Sequence, residues 1–120
     1  KWMKSCLLKW SGEHKFGKAE EAYLKSFKQK KRIHASCEDY RASDTNDLEH
    51  DKKDKNKKLN IPIQALWGKN GVIGRQFNPI KIWQKYSNKK IVGTAIDSGH
   101  FIPEQNPQQT IIQLRNFFLR

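Results

Sequence analysis

His100 is preceded by Ile91-Val92-Gly93-Thr94-Ala95-Ile96, which reads as a short β-strand, and by Asp97-Ser98-Gly99, which reads as a turn. Phe101, Ile102 and Pro103 follow, and then a segment of helical pattern. Open α/β sheets keep their ligands and reacting groups beyond the carboxyl ends of their strands. An imidazole there can accept or release a proton, because its ordinary pKa lies near neutrality. A loop histidine taken alone is an ordinary polar surface group, so the rest of the chain has to supply the context.

Other reactive types offer less. His34-x-x-Cys37 has no partners at metal-ligand spacing, and Cys6 and Cys37 form no Cys-x-x-Cys pair. No metal site is expected, and both cysteines are read as small apolar packing residues. Gly68-Lys69-Asn70-Gly71-Val72-Ile73-Gly74 carries glycines and a lysine without the phosphate-loop spacing, and reads as a mobile strand-to-helix loop. Glu49-His50-Asp51 lies among charged residues and is expected on the surface. Arg41, near Asp39 and Asp44, is expected to form an ion pair with them.

The elements that must position His100 fall into two halves. Trp2, Met3, Cys6, Leu7 and Trp10 recur at helical intervals and stop at Ser11-Gly12. A second helix is expected over 18–28, with Glu20 and Glu21 in its dipole-favoured first turn. A third is expected over about 31–43, with Ile33, Cys37 and Tyr40 on one face, and a short turn over 46–53. The lysine-rich run 52–58 then connects to a different pattern. Leu59 to Gly68 is an apolar run closed by glycine, as a buried parallel strand should be, with Pro62 tolerable only near its start. Asn78-Pro79 opens a helix, the strand before His100 follows, and Pro107 starts a last helix bearing Ile111, Ile112, Leu114, Phe117 and Phe118. The second half is thus β-α-β-α. Two parallel strands alone lack the covered faces and edges a parallel sheet requires. The chain is therefore expected to be the C-terminal portion of something larger, a reading that its start at Lys1 supports.

Lysine and arginine number 24 against 12 acidic residues, a formal charge of +12. The lysines are dispersed, and only Arg32, Arg41, Arg75, Arg115 and Arg120 could offer the forks that base readout favours. A solvated lysine surface is expected, with neither nucleic acid nor membrane as partner. No signal peptide or membrane-length apolar run is present, and the free thiols suit a reducing, cytoplasmic setting.

The ending Ala65-Leu66-Trp67-Gly68, loop, helix, strand, Ser98-Gly99-His100-Phe101, helix resembles that of the α/β-hydrolases. The run Ile33-His34-Ala35-Ser36-Cys37-Glu38-Asp39-Tyr40-Arg41-Ala42, with Asp47-Leu48-Glu49-His50-Asp51 behind it, is similar to the end of the cap domain of the haloacetate (fluoroacetate) dehalogenases. Trp10-Ser11-Gly12 and the stretch 16–27 resemble that family's cap helices. The resemblance implies residues 1–58 as cap and 59–120 as the last part of the α/β core. It implies His100 as the base that activates water, Tyr40 as a donor to the departing halide, and Trp10 as a wall of the route to the pocket. In that family an aspartate displaces halide and the resulting ester is hydrolysed, with no cofactor. A small haloacid is the implied ligand, and the parent protein is compatible with a homodimer. Epoxide hydrolases and esterases share the ending, and an inactive split-gene remnant would also carry it.

The departures are as informative. The chain contains no Gly-x-Asp-x-Gly or Gly-x-Ser-x-Gly elbow, so the family's nucleophile has no counterpart here. The substrate-gripping arginines that follow the elbow, and the His-Trp halide pair, have none either. The loop after Gly68, where many α/β-hydrolases place their acid, offers Lys69 and Asn70 but no carboxylate; the resemblance to the dehalogenases, whose acid follows the preceding strand upstream of the cap, implies that absence. The 120 residues are therefore expected to be inactive alone.

Overall fold

The computed structural model describes residues 1–12 and 14–119. Ten elements follow in order: α1 (Trp2–Ser11), α2 (Lys18–Phe27), α3 (Lys30–Ser43), α4 (Asn46–Asp54), β1 (Gln64–Gly68), α5 (Val72–Gln76), α6 (Pro79–Gln84), β2 (Val92–Ile96), α7 (Ile102–Gln105) and α8 (Pro107–Phe118). They form two compact units, one of residues 1–15 with 58–120, the other of residues 16–57. This division differs from the one expected at residue 58. α1 joins the unit of the strands, where its terminal carbonyls find donors in His100 and Gln105.

In the first unit β1 and β2 run parallel, with Gln64 opposite Val92 and Gly68 opposite Ile96. The strand read over 59–68 is shorter than expected. Pro62 has no N–H to donate, so the ladder starts only after it, and Leu59 makes one isolated bridge to Ser87 instead. α6 begins as its sequence requires, with Pro79 in the first turn and the Asn78 side chain accepting the Lys81 N–H at 2.9 Å. Asn106 caps α8 in the same way, accepting the Gln109 N–H at 3.2 Å. Two short helices interrupt segments read as irregular. α5 occupies part of the expected mobile loop 68–74, and α7 fills the interval between His100 and Pro107.

The core is small. Cys6, Leu7, Ile91 and Ile96 are buried, and Ile96 is sealed completely. Ser11, Ser98 and Thr110 are buried too, with every hydroxyl bonded, as burial of polar groups demands. Outside the core, Phe77, Trp83, Ile111, Ile112 and Phe118 keep large solvent-exposed areas.

In the second unit α2 turns Leu24 and Phe27 partly inward, and Phe16 meets Tyr23 edge to face at 6.4 Å. α3 departs from expectation in two respects. Its Ile33, Cys37 and Tyr40 face is exposed, so Cys37 is not a packing residue, whereas Cys6 is. Arg41 pairs with Glu38 one turn back, on its own helix face, rather than with Asp39, which is two positions away and off that face, or with Asp44, which caps α3 beyond its last turn. Glu49, His50 and Asp51 are exposed.

Ile96→Ala empties the one large site that is fully sealed among the described residues and should cost about 2–5 kcal/mol, whereas Ile111→Ala, on the exposed face of α8, should stay within about 0.5 kcal/mol. Urea titrations of the two variants check this, and equal shifts would refute the placement of the core.

Candidate active site

Four residues after its Cys6-Leu7 pair α1 ends at Ser11, and a helix end leaves four carbonyls without intrahelical donors. Gly12, in the left-handed region at φ 65°, returns its N–H to the Leu8 carbonyl. The Trp10 carbonyl accepts the backbone N–H of His100 at 2.9 Å. The Ser11 carbonyl accepts from the Gln105 side-chain Nε2 at 2.7 Å. Helix α1 therefore ends against the histidine turn, and its unmet carbonyls are what hold the turn.

From the other side the turn is fastened to the end of β1. Lys69 N–H donates to the Ile96 carbonyl at 2.8 Å and Asn70 N–H to the Ser98 carbonyl at 2.9 Å. The Asn70 side chain reaches the Asp97 carboxylate at 3.4 Å. Asp97 N–H donates to Gln109 Oε1 at 3.0 Å, and its carbonyl accepts from Asn106 Nδ2 at 3.3 Å, which joins the turn to the start of α8.

Space at the turn allows no side chains on its glycines. A Cβ on Gly99 would stand 2.9 Å from the Ser11 carbonyl carbon and oxygen and 2.9 Å from Gln105 Oε1. One on Gly68 would run into the Gly99 carbonyl oxygen. Both glycines are needed for close backbone approach rather than for an unusual φ.

The His100 side chain is exposed and sits among aromatics. Trp10 lies at 5.2 Å between ring centroids and Phe101 at 5.0 Å, both edge to face, and Trp10 stacks on Phe101 at 6.5 Å. Edge-to-face contacts of this kind restrict a ring's orientation. The imidazole borders a groove of about 560 Å³ that runs along β1 and is lined by Leu66, Trp67, Ile73, Trp83 and Ile102. Its lining residues include no carboxylate. A larger groove of about 710 Å³ beside Phe77 and Lys81 contains neither a histidine nor an acid. Among the described residues no group of three histidine, cysteine or carboxylate side chains could hold a metal ion. No described helix is long and apolar enough to cross a membrane.

Of the residues singled out from sequence, Trp10 and His100 are brought together in the first unit. Tyr40, 61% exposed, belongs to α3 of the second unit. Sequence reasoning missed Gln105 and the Asn70–Asp97 link. Gln105 alone had a signal, as a polar residue one turn beyond Phe101 and just before the Asn106-Pro107 helix start.

Comparison with proteins of known structure decides the fold. A protein from Nostoc sp PCC 7120 assigned to the alpha/beta hydrolases superposes with a TM-score of 0.90 at 36% identity, covering 97% of this chain and 40% of that one. The chain has the fold of the C-terminal part of an α/β-hydrolase. A Pseudomonas aeruginosa structure assigned as an epoxide hydrolase matches this α/β-hydrolase portion with a TM-score of 0.86 at 26% identity, over 98% of this chain and 40% of that one. A fluoroacetate dehalogenase from a Burkholderia species is 30% identical over 116 residues, which are 93% of this chain and 38% of the relative's length. No family model matches. Within an α/β-hydrolase portion the turn after β2 is a strand's carboxyl end, where the fold keeps reacting groups.

Gly99→Ala should lower stability by about 1–3 kcal/mol through overpacking against Ser11. Gly12→Ala, which meets only open space, should cost about 1–2 kcal/mol from its left-handed φ alone. Proton NMR separates the two. The Trp10–His100 ring contacts should disappear in the first variant and persist in the second, and persistence in both would contradict the packing of α1 on the turn.

Proposed function

We propose that this chain carries the water-activating base and part of the cap of a hydrolase that cleaves the carbon–halogen bond of short haloacids such as fluoroacetate. The observation that carries the reading is His100, exposed at the groove beyond β2 and fastened through its backbone to Trp10. The run Cys37-Glu38-Asp39-Tyr40-Arg41-Ala42 and the 30% identity to a fluoroacetate dehalogenase support the substrate class.

The reaction has two steps. A carboxylate supplied from outside these 120 residues attacks the carbon bearing halogen, and the carbon–halogen bond breaks with its electron pair on the leaving halide. The product is an ester of that carboxylate. His100 then takes a proton from water as the water oxygen attacks the ester carbonyl. The ester C–O bond breaks, the hydroxyacid leaves with the proton returned from the imidazolium, and the carboxyl group left behind gives up the second water proton to solvent to regenerate the carboxylate. Tyr40 donates its phenolic O–H to the departing halide, a role that suits fluoride, whose charge is concentrated and strongly hydrated. Trp10 walls the pocket beside the base.

A second reading, epoxide hydrolysis, is favoured by the likeness to the Pseudomonas structure. The chemistry differs in one respect: the leaving oxygen of an epoxide stays attached to the alkyl group, so no anion is released.

The test replaces the matching segment of the Burkholderia fluoroacetate dehalogenase with residues 1–120 and follows fluoride release. Turnover is expected. His100→Ala should give a stoichiometric burst of fluoride and then arrest, with a glycolyl ester on the nucleophile visible by mass spectrometry. Continued turnover without His100 would overturn its role as base. Diol formation from an epoxide, with no fluoride from fluoroacetate, would transfer the reading to epoxide hydrolysis. In the same chimera Tyr40→Phe should slow defluorination on the order of a hundredfold, with a smaller effect on chloroacetate. Equal effects on both substrates would remove Tyr40 from the halide site.

A further inference from the structure

We infer that Gln105 is the positioning residue for His100. The inference rests on the reading of His100 as base for its catalytic consequence, but not for its geometry. The side-chain amide of Gln105 makes two bonds at once. Its Oε1 accepts the Phe101 N–H at 3.1 Å, and its Nε2 donates to the Ser11 carbonyl at 2.7 Å across 94 residues of sequence. Its two partners flank the one direct backbone bond between α1 and the turn, Trp10 carbonyl to His100 N–H. Residue 10 bonds to residue 100, while the amide joins residue 11 to residue 101. Together the two links fix both the position and the tilt of the histidine backbone, which one hydrogen bond alone leaves free to pivot.

An amide is the side chain that this arrangement needs. One partner is a donor and the other an acceptor, so the bridging group has to do both. A glutamate carboxylate keeps the acceptor and loses the donor, and it places negative charge against the Ser11 carbonyl. Leucine, of similar size, keeps neither. Gln105 is half-buried, so an unmet partner there is not fully compensated by water. Gly99 takes part by omission, because a Cβ there would stand 2.9 Å from Gln105 Oε1. The short helix α7 presents Gln105 one turn after Phe101, and its Gln105 N–H donates to the Phe101 carbonyl at 3.0 Å. Residues 101 and 105 are thus tied by backbone and side chain alike.

The consequence for catalysis is specific. Water activation requires the imidazole within hydrogen-bond reach of the attacking water, and a displacement of about 1 Å can cost on the order of a hundredfold in rate. Halide displacement does not use His100, so loss of Gln105 should slow ester hydrolysis and leave the first step unchanged. A residue that merely supports the fold would slow both.

Two measurements test this. On the 120-residue chain, NMR of Gln105→Glu and Gln105→Leu follows the Trp10–His100 ring contacts together with the cross-strand contact of Leu66 and Thr94. Loss of the ring contacts with the Leu66–Thr94 contact retained in at least Gln105→Glu is expected. Unchanged ring contacts in both variants, or loss of the cross-strand contact in both, would overturn the positioning role. In the chimera, Gln105→Glu should preserve the fluoride burst and slow the steady state on the order of ten- to a hundredfold; equal slowing of burst and steady state would overturn it. If the chimera releases no fluoride at all, the dehalogenase reading fails, and the NMR result still decides the role of Gln105 in holding the histidine turn.

Discussion

The carbonyls left over at the end of α1 are the constraint from which the geometry around His100 follows. A helix cannot satisfy its last carbonyls internally, and a buried carbonyl without a donor is costly. Three of these in α1 find donors: Leu8 through Gly12, Trp10 through His100 and Ser11 through Gln105. Two of the three donors lie beyond β2, His100 in the turn and Gln105 at the end of α7. The same bonds that complete the helix therefore set the backbone of the candidate base. They also explain why the first fifteen residues belong with the strands rather than with the rest of the helical half.

A site held by main-chain bonds tolerates substitution of exposed side chains better than substitution of its glycines. Gly68 and Gly99 let the end of β1, the turn and the end of α1 approach to backbone contact. The aromatic group of Trp10, His100 and Phe101 assembles on top of that contact. The position of the imidazole is thus set from below by backbone and from the side by rings. The groove along β1 supplies the apolar wall that a small organic substrate would meet.

Much of this was legible in the residues. Asn78-Pro79 and Asn106-Pro107 carry helix starts whose caps form as their chemistry requires. The two parallel strands and the turn exposing His100 follow from apolar runs closed by Gly68 and by Ser98-Gly99. Three things were not legible. The early start read for β1 ignored how firmly Pro62 delays a ladder. The exposure of Cys37 and Tyr40 could not be read from α3, since a helical stripe shows which residues share a face but not whether anything covers it. Gln105 was hidden because its partner Ser11 lies at the opposite end of the chain, and no local pattern encodes a bond across 94 residues.

Hydrogen exchange at the His100 amide tests the account most directly. Its side chain is exposed and its segment is a turn, so an unbonded N–H would exchange at the rate of a free loop. The account predicts protection comparable to that of the β1–β2 ladder, because the Trp10 carbonyl holds it at 2.9 Å. Exchange at the free-loop rate, with the ladder amides still protected, would contradict it.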